Sequence, residues 1–168
     1  MFGLRMAAGT HVGVTRQVNQ DSYATAPGVA VVADGMGGHR GGEVASAIAA
    51  KEMISRFDAP ELDALVTGVG HANRRILDEA AADPKLHGMG TTVVALGLID
   101  VADGVALGAI NVGDSRMYRL TGNVLEQLTE DHSLVEALVR EGRITAAEAK
   151  VHPQRNIVTR ALGVIEHV

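Results

Sequence analysis

The residues best placed for chemistry lie in one short stretch. The apolar run Val29-Ala30-Val31-Val32-Ala33 has the length and β-branched content of a buried strand. It ends on a carboxylate, Asp34, and passes at once into Gly35-Met36-Gly37-Gly38-His39, with Gly41 close behind. A lone acid at the mouth of a buried strand, beside a backbone free to bend, suits a hard cation. The carboxylate can reach the ion, and a glycine carbonyl can turn in next to it. A glycine loop before a helix can also cradle a nucleotide phosphate. This one lacks Gly-Lys-Ser/Thr, and the charge of Asp34 opposes a phosphate, so that reading is set aside.

The elements that must hold such a site can be read from the pattern around it. Residues 5–14, small and β-branched, predict an outer strand. Val44, Ala47, Ile48, Ala50, Ile54 and Phe57 recur at helical spacing, with Glu43, Lys51, Glu52 and Arg56 on other faces. A second helix is predicted after Pro60, with a buried stripe of Leu62, Leu65, Val66, Val69, Ile76, Leu77 and Ala80. Asn73 falls on that stripe and reads as a satisfied core amide. Asp83-Pro84 closes the helix. Residues 91–101 and 105–112 are β-rich around Asp103-Gly104, and 116–120 and 124–128 form a second pair around Thr121-Gly122-Asn123. Consecutive hairpins predict an antiparallel sheet, so the class is α+β, not a parallel βαβ fold. Beyond Asp131 the pattern turns helical and polar, with capping signals at Ser133/Glu136 and Thr145/Glu148 and a stop at Gly142.

Composition narrows the function classes. At 168 residues, with 46% hydrophobic and 2% aromatic content, the chain can bury one mainly aliphatic core, and residues 1–168 read as a single domain. The formal net charge of -5 offers no basic field for nucleic acid or an anionic membrane. No window approaches the roughly 18 consecutive apolar residues of a membrane span, and the N-terminus lacks the long apolar region of a secretory signal. With no cysteine there is no disulfide, no thiolate metal site and no cysteine nucleophile; a cytoplasmic setting is the expectation.

The stretch Asp34-Gly35-Met36-Gly37-Gly38-His39, followed by Gly42-Glu43-Val44-Ala45-Ser46, resembles the signature of the bacterial type 2C phosphatases, the metal-dependent protein serine/threonine phosphatases. Four more stretches match in order. They are Arg16-Gln17-Val18-Asn19-Gln20-Asp21, Gly88-Met89-Gly90-Thr91-Thr92, Asn111-Val112-Gly113-Asp114-Ser115-Arg116, and the run from His152-Pro153-Gln154-Arg155-Asn156 through Thr159-Arg160-Ala161-Leu162-Gly163.

The resemblance implies a four-layer αββα fold, an antiparallel β-sandwich flanked by helices. It implies that Asp34 bridges two ions, that the Gly35 carbonyl binds one, that Asp21 stands near them through water, and that Asp114 holds an additional one. The ions would be Mn²⁺ or Mg²⁺, two or three in number, consistent with oxygen-only ligation. Arg16, otherwise a surface arginine, would hold the substrate phosphate with its planar fork. Asp21 alone would read as an Asx turn. His39 is the candidate proton donor to the leaving serine or threonine oxygen, with a loop-structural role as the alternative. Gln20 stands where the family has glutamate and brings no charge, so metal affinity should fall.

The resemblance further implies that residues from about 131 to 163 form the flap beside the active site. Asp131 and His132 match a family pair for which a structural role is expected. Substrates would be phosphoserine and phosphothreonine proteins, a cognate kinase among them, and the chain a monomer.

The resemblance ends at Ala161-Leu162-Gly163-Val164-Ile165-Glu166-His167-Val168. The family continues with an apolar strand ending in Ser-Asp-Gly and a later Asp-Asn, whose aspartates complete the metal pair. The expectation is therefore a C-terminally incomplete catalytic domain with an under-ligated centre and uncovered sheet surface. Two readings compete: a serine/threonine phosphatase, or a catalytically impaired module that binds phosphoproteins.

Overall fold

The computed structural model describes residues 4–37, 41–166 and 168. Strand β1 (Asp21–Ala26) turns through Pro27-Gly28, where Gly28 has φ +81°, into the antiparallel β2 (Val29–Met36). Two residues, β3 (Gly90–Thr91), pair with the end of β2. Then β4 (Val93–Val101) pairs with its beginning and returns as β5 (Gly104–Val112). The order β1-β2-β4-β5 is antiparallel throughout, and β6 (Tyr118–Thr121) with β7 (Val124–Gln127) forms a separate ribbon. The expected hairpins at Asp103-Gly104 and around Gly122 are both present.

Helices α1 (Gly41–Arg56) and α2 (Leu62–Ala82) cover one face of the sheet. Val29, Val31 and Ala33 of β2 alternate inward and meet Ala45, Ala49 and Met53 of α1 and Leu65, Val69, Ala72 and Ile76 of α2. The expected stripes are largely kept: Ala50 of α1 and Leu65, Val69, Ile76 and Ala80 of α2 are buried, and Val44, Ile48, Ile54 and Phe57 pack against the core, whereas Leu62 is exposed. On α1 the contact line is Gly42, Ala45, Ser46, Ala49 and Met53, while Val44 and Ile48 lie at its border and Ala47 is exposed. Small residues win the buried positions because the helix lies close against the sheet and against Gly68 of α2, where an added Cβ would meet Met53 Sδ at 3.0 Å. On α2, Val66 stands about 100° off the stripe through Leu65 and Val69, and it is exposed. The sheet face turned away from the helices carries exposed Tyr23, Val32, Val105 and Leu107.

Residues 5–14 form no strand. Gly13 takes φ +77° and donates its N–H to His11 Nδ1, which breaks the extended run. Residues 7–11 border a cavity of about 470 Å³ together with Tyr23, Thr25 and Val32 of the outer sheet face, without pairing with β1.

Past β7, Ser133 caps α3 (Leu134–Arg140) by accepting the Glu136 N–H at 3.2 Å, and Gly142 with φ +69° follows its end. Thr145 and Glu148 form a reciprocal capping box on α4 (Ala146–Val151). The chain then returns to the core. Thr91 and Leu162 exchange backbone hydrogen bonds of 3.1 and 2.9 Å, and Leu162 is fully buried. Asn73, 3% exposed, accepts the Gly163 N–H at 2.7 Å and donates to the carbonyls of Ile165 and Glu166. It is the satisfied core amide that its place on the stripe predicts. Among the described residues no helix is long and apolar enough to cross a membrane.

Candidate active site

The β1–β2 register sets Asp21 directly opposite Asp34. Both sit on the face away from the helices, and their carboxyls are within hydrogen-bonding reach. Burial of its surroundings pushes the Asp34 pKa up to about 6, with the charge and hydrogen bond of Asp21 and the charge of Asp114 adding to the rise. Arg16 acts in the opposite direction and is the nearby cation that partly offsets this negative charge.

Gly35 is a steric necessity. A Cβ there would overlap the Gly42 carbonyl and the Gln20 carbonyl, because the first turn of α1 presses against the end of β2. The contact is mutual, since a Cβ on Gly42 would meet Gly35 C at 2.8 Å and Gln20 Cδ at 2.9 Å. The Gln20 carbonyl accepts from the Gly35 N–H at 3.1 Å and from the fully buried Ser46 hydroxyl at 2.6 Å. Thus α1 anchors the segment between Arg16 and Asp21 through one carbonyl, and the Gln20 side chain packs on the same turn.

Asp114 arrives from the other side of the sheet end. Gly113, with φ +109°, starts its turn. The Gly113 N–H donates to His132 Nδ1 at 3.1 Å, and the Gly113 carbonyl accepts the His132 N–H at 2.9 Å. Accepting at Nδ1 requires the neutral ring; burial, followed by the charge of Arg160, lowers its pKa accordingly. Asp131, buried, receives a fork from Arg116 at 2.6–3.0 Å and a further bond from Gln127 at 3.3 Å. Asp131 and His132 therefore brace the turn that carries Asp114, which is the structural role expected of them.

Two adjoining hollows share Arg16, Gln20, Asp34 and Gly35. One, of about 200 Å³, adds His11, Val12, Val18, Asn19 and Asp21. The other, of about 450 Å³, adds Met36, Gly37, Thr92, Asp114, Asn156 and Val158. Arg16, Asp21, Asp34, Gly35 and Asp114 are thus gathered at one end of the sheet. His39 lies outside the described residues. Thr92, Asn156 and Val158 were not singled out as site residues from the sequence, although each belongs to a motif quoted above; nothing in their type marks them as facing the cavity.

The donors that could hold an ion are Asp21, Asp34, Asp114 and the Gly35 backbone, all oxygen. Among the described residues no three His, Cys, Asp or Glu side chains stand close enough to cage one. An oxygen set with surplus negative charge fits a hard divalent cation that keeps part of its water shell.

Comparison with known proteins gives a consistent picture. Residues 8–162 match the family described as Protein phosphatase 2C. The serine/threonine phosphatase stp of Listeria welshimeri is 44% identical over 144 residues, which cover 81% of this chain and 56% of that protein. The chain thus spans little more than half the length of that relative. The crystal structure of the Mycobacterium tuberculosis serine/threonine phosphatase PstP/Ppp superposes with TM-score 0.82 at 39% identity, covering 90% of this chain and 64% of that one. A second PstP structure, its catalytic domain in complex with two manganese ions, gives TM-score 0.77 at 37% identity over 90% of this chain and 63% of that one. The mixed α+β class with antiparallel sheets, expected from the hairpins and helices, agrees with these structures.

Proposed function

Because this chain belongs to the protein phosphatase 2C family, we propose that its site serves metal-dependent hydrolysis of phosphoserine and phosphothreonine monoesters in proteins. The observation that carries the reading is the gathering of Arg16, Asp21, Asp34 and Asp114 around adjoining hollows. A guanidinium beside clustered carboxylates suits a phosphate approached from one side by Arg16 and from the other by hard cations. Asp34, the Gly35 carbonyl and Asp21 would hold a pair of Mn²⁺ or Mg²⁺ ions, and Asp114 a third. The two manganese ions of the PstP complex support this choice of metal. Bound divalent cations lower the pKa of water and neutralise phosphoryl charge.

The protein's own part is to bind and orient. Arg16 aligns the phosphoryl oxygens, and the hollow flanked by Asn156 and Val158 receives the residue bearing the phosphate. His39, next in sequence to this loop, is the candidate to protonate the leaving oxygen. Phosphoproteins of the same cytoplasm, a cognate serine/threonine kinase among them, are the proposed partners of a monomeric chain.

The test is Mn²⁺-dependent hydrolysis of p-nitrophenyl phosphate by the chain and its Asp34→Asn variant. Turnover that requires Mn²⁺ and disappears in the variant is the expected result. A folded, monodisperse sample with no turnover at any Mn²⁺ concentration would refute catalysis by this chain.

A further inference from the structure

Hydrogen-bonded residue pairs in an antiparallel ladder exchange two backbone bonds. Opposite Asp34 that exchange is half replaced. Gly35 faces Thr91 and Val32 faces Val94, so the register sets Thr92 against Asp34. The Thr92 N–H donates to the Asp34 carbonyl at 3.0 Å. The return bond runs from the Asp34 N–H to Thr92 Oγ1 at 3.1 Å, so a side-chain oxygen takes the place of the backbone acceptor. The neighbouring Thr91 hydroxyl lies between the Thr92 carbonyl, at 2.9 Å, and the Asp34 carbonyl, at 3.0 Å, and its single proton serves these two acceptors. Regular strand breaks at Thr92, between β3 and β4.

The same hydroxyl has a second partner, Ser115 Oγ, at 2.6 Å. Thr92 Cγ2 also fills the space that a side chain at Gly113 would need. One side chain, 3% exposed, therefore touches both the backbone of Asp34 and the turn that presents Asp114.

We propose that Thr92 is a positioning residue for the candidate metal centre: its hydroxyl, shared between the Asp34 amide and Ser115, fixes the spacing of the Asp34 and Asp114 carboxylates. The proposal rests on the reading of those carboxylates as metal ligands. The link acts on the main chain beside each carboxylate, and so sets the distance between the two segments that present them. Valine at this position would keep the branched shape and remove the acceptor; serine would keep the acceptor and remove the methyl.

The experiment titrates wild type, Thr92→Ser and Thr92→Val with Mn²⁺ alone by calorimetry. It also follows amide exchange of Asp34 by NMR in metal-free protein. The serine variant should stay within about twofold of wild type in both measurements, and the valine variant should bind Mn²⁺ about tenfold more weakly with a faster-exchanging Asp34 amide. Wild-type Mn²⁺ affinity and wild-type protection of Asp34 in the valine variant would overturn the proposal. If that variant does not fold, Ser115→Ala decides. It leaves the Asp34–Thr92 bond in place, so Asp34 should stay protected while Mn²⁺ affinity falls; unchanged affinity would overturn the proposal. Failure of the wild type to bind Mn²⁺ would refute the metal reading instead. The Asp34 exchange comparison would then judge the Thr92 link by itself.

Discussion

Asp21 and Asp34 face each other across the β1–β2 ladder with their carboxyls in hydrogen-bonding reach. Two carboxyls set side by side by backbone register cannot both ionise freely, because each raises the cost of charging the other.

In metal-free protein this pairing has a pH signature. The folded Asp34 pKa of about 6 lies above its ordinary value of 3.8. In that window the folded state holds more protons than the unfolded one, so the stability it contributes is full below the ordinary value. It is lost as pH rises toward 6. The Tm of wild type relative to Asp34→Asn should therefore fall between those limits and then level off. Melting curves across this range check it; a pH-independent difference would contradict the arrangement.

Gly35 and Gly70 should respond oppositely to alanine. At Gly35 the new methyl would run into the Gly42 backbone, which no rotamer change relieves, and the expected cost is about 3 kcal/mol. Gly70 lies inside α2 with nothing within 4 Å of an added Cβ, so alanine there should stabilise by about 0.5–1 kcal/mol. Urea denaturation of both variants reads the two signs directly.

Removing the Arg116 fork should expose how firmly the Asp114 turn is held. Arg116→Met leaves the buried Asp131 carboxylate with Gln127 as its remaining side-chain donor, at a cost of about 2 kcal/mol after allowance for the half-exposed arginine. Arg116→Lys keeps the charge without the bidentate geometry and should fall in between. Denaturation midpoints for the pair check both the size and the order.

Arg16→Lys separates phosphate geometry from charge. KM for a phosphopeptide should rise about tenfold while Mn²⁺ affinity stays near wild type, because the fork and not the charge is lost. An unchanged KM would remove Arg16 from the phosphate site.

Asp34 is legible as a cation ligand from its own surroundings, whereas Arg16, Asp21 and Asp114 read by themselves as a surface arginine and two turns and are drawn to the site by the family resemblance. Asp34 ends an apolar strand, and Asp21 and Asp114 each sit in a short polar motif. Their mutual distance was not legible, since it depends on the β1–β2 register and on a Thr92 bond that looks like any buried threonine in sequence. The hydrophobic stripes pick out the large residues of the helix faces but miss the small ones for a related reason. Ala45, Ser46, Ala49 and Gly68 are buried for their smallness, whereas a hydrophobic stripe counts size. Residues 5–14 have strand-like composition, but the turn at Gly13 interrupts the extended run and none of them pairs with β1.

Asn73 joins α2 to backbone some ninety residues further along the chain. During synthesis α2 leaves the ribosome long before the carbonyls and amide that satisfy this buried side chain exist. Until residues 163–166 dock, the helix layer must either leave a polar group unsatisfied in its interior or stay loosely packed there. Closing so long a loop is a slow, entropically costly step. Closure of the α1–α2 face thus waits on residues 163–166, and the nascent chain should retain a loosened helix layer until that segment is available.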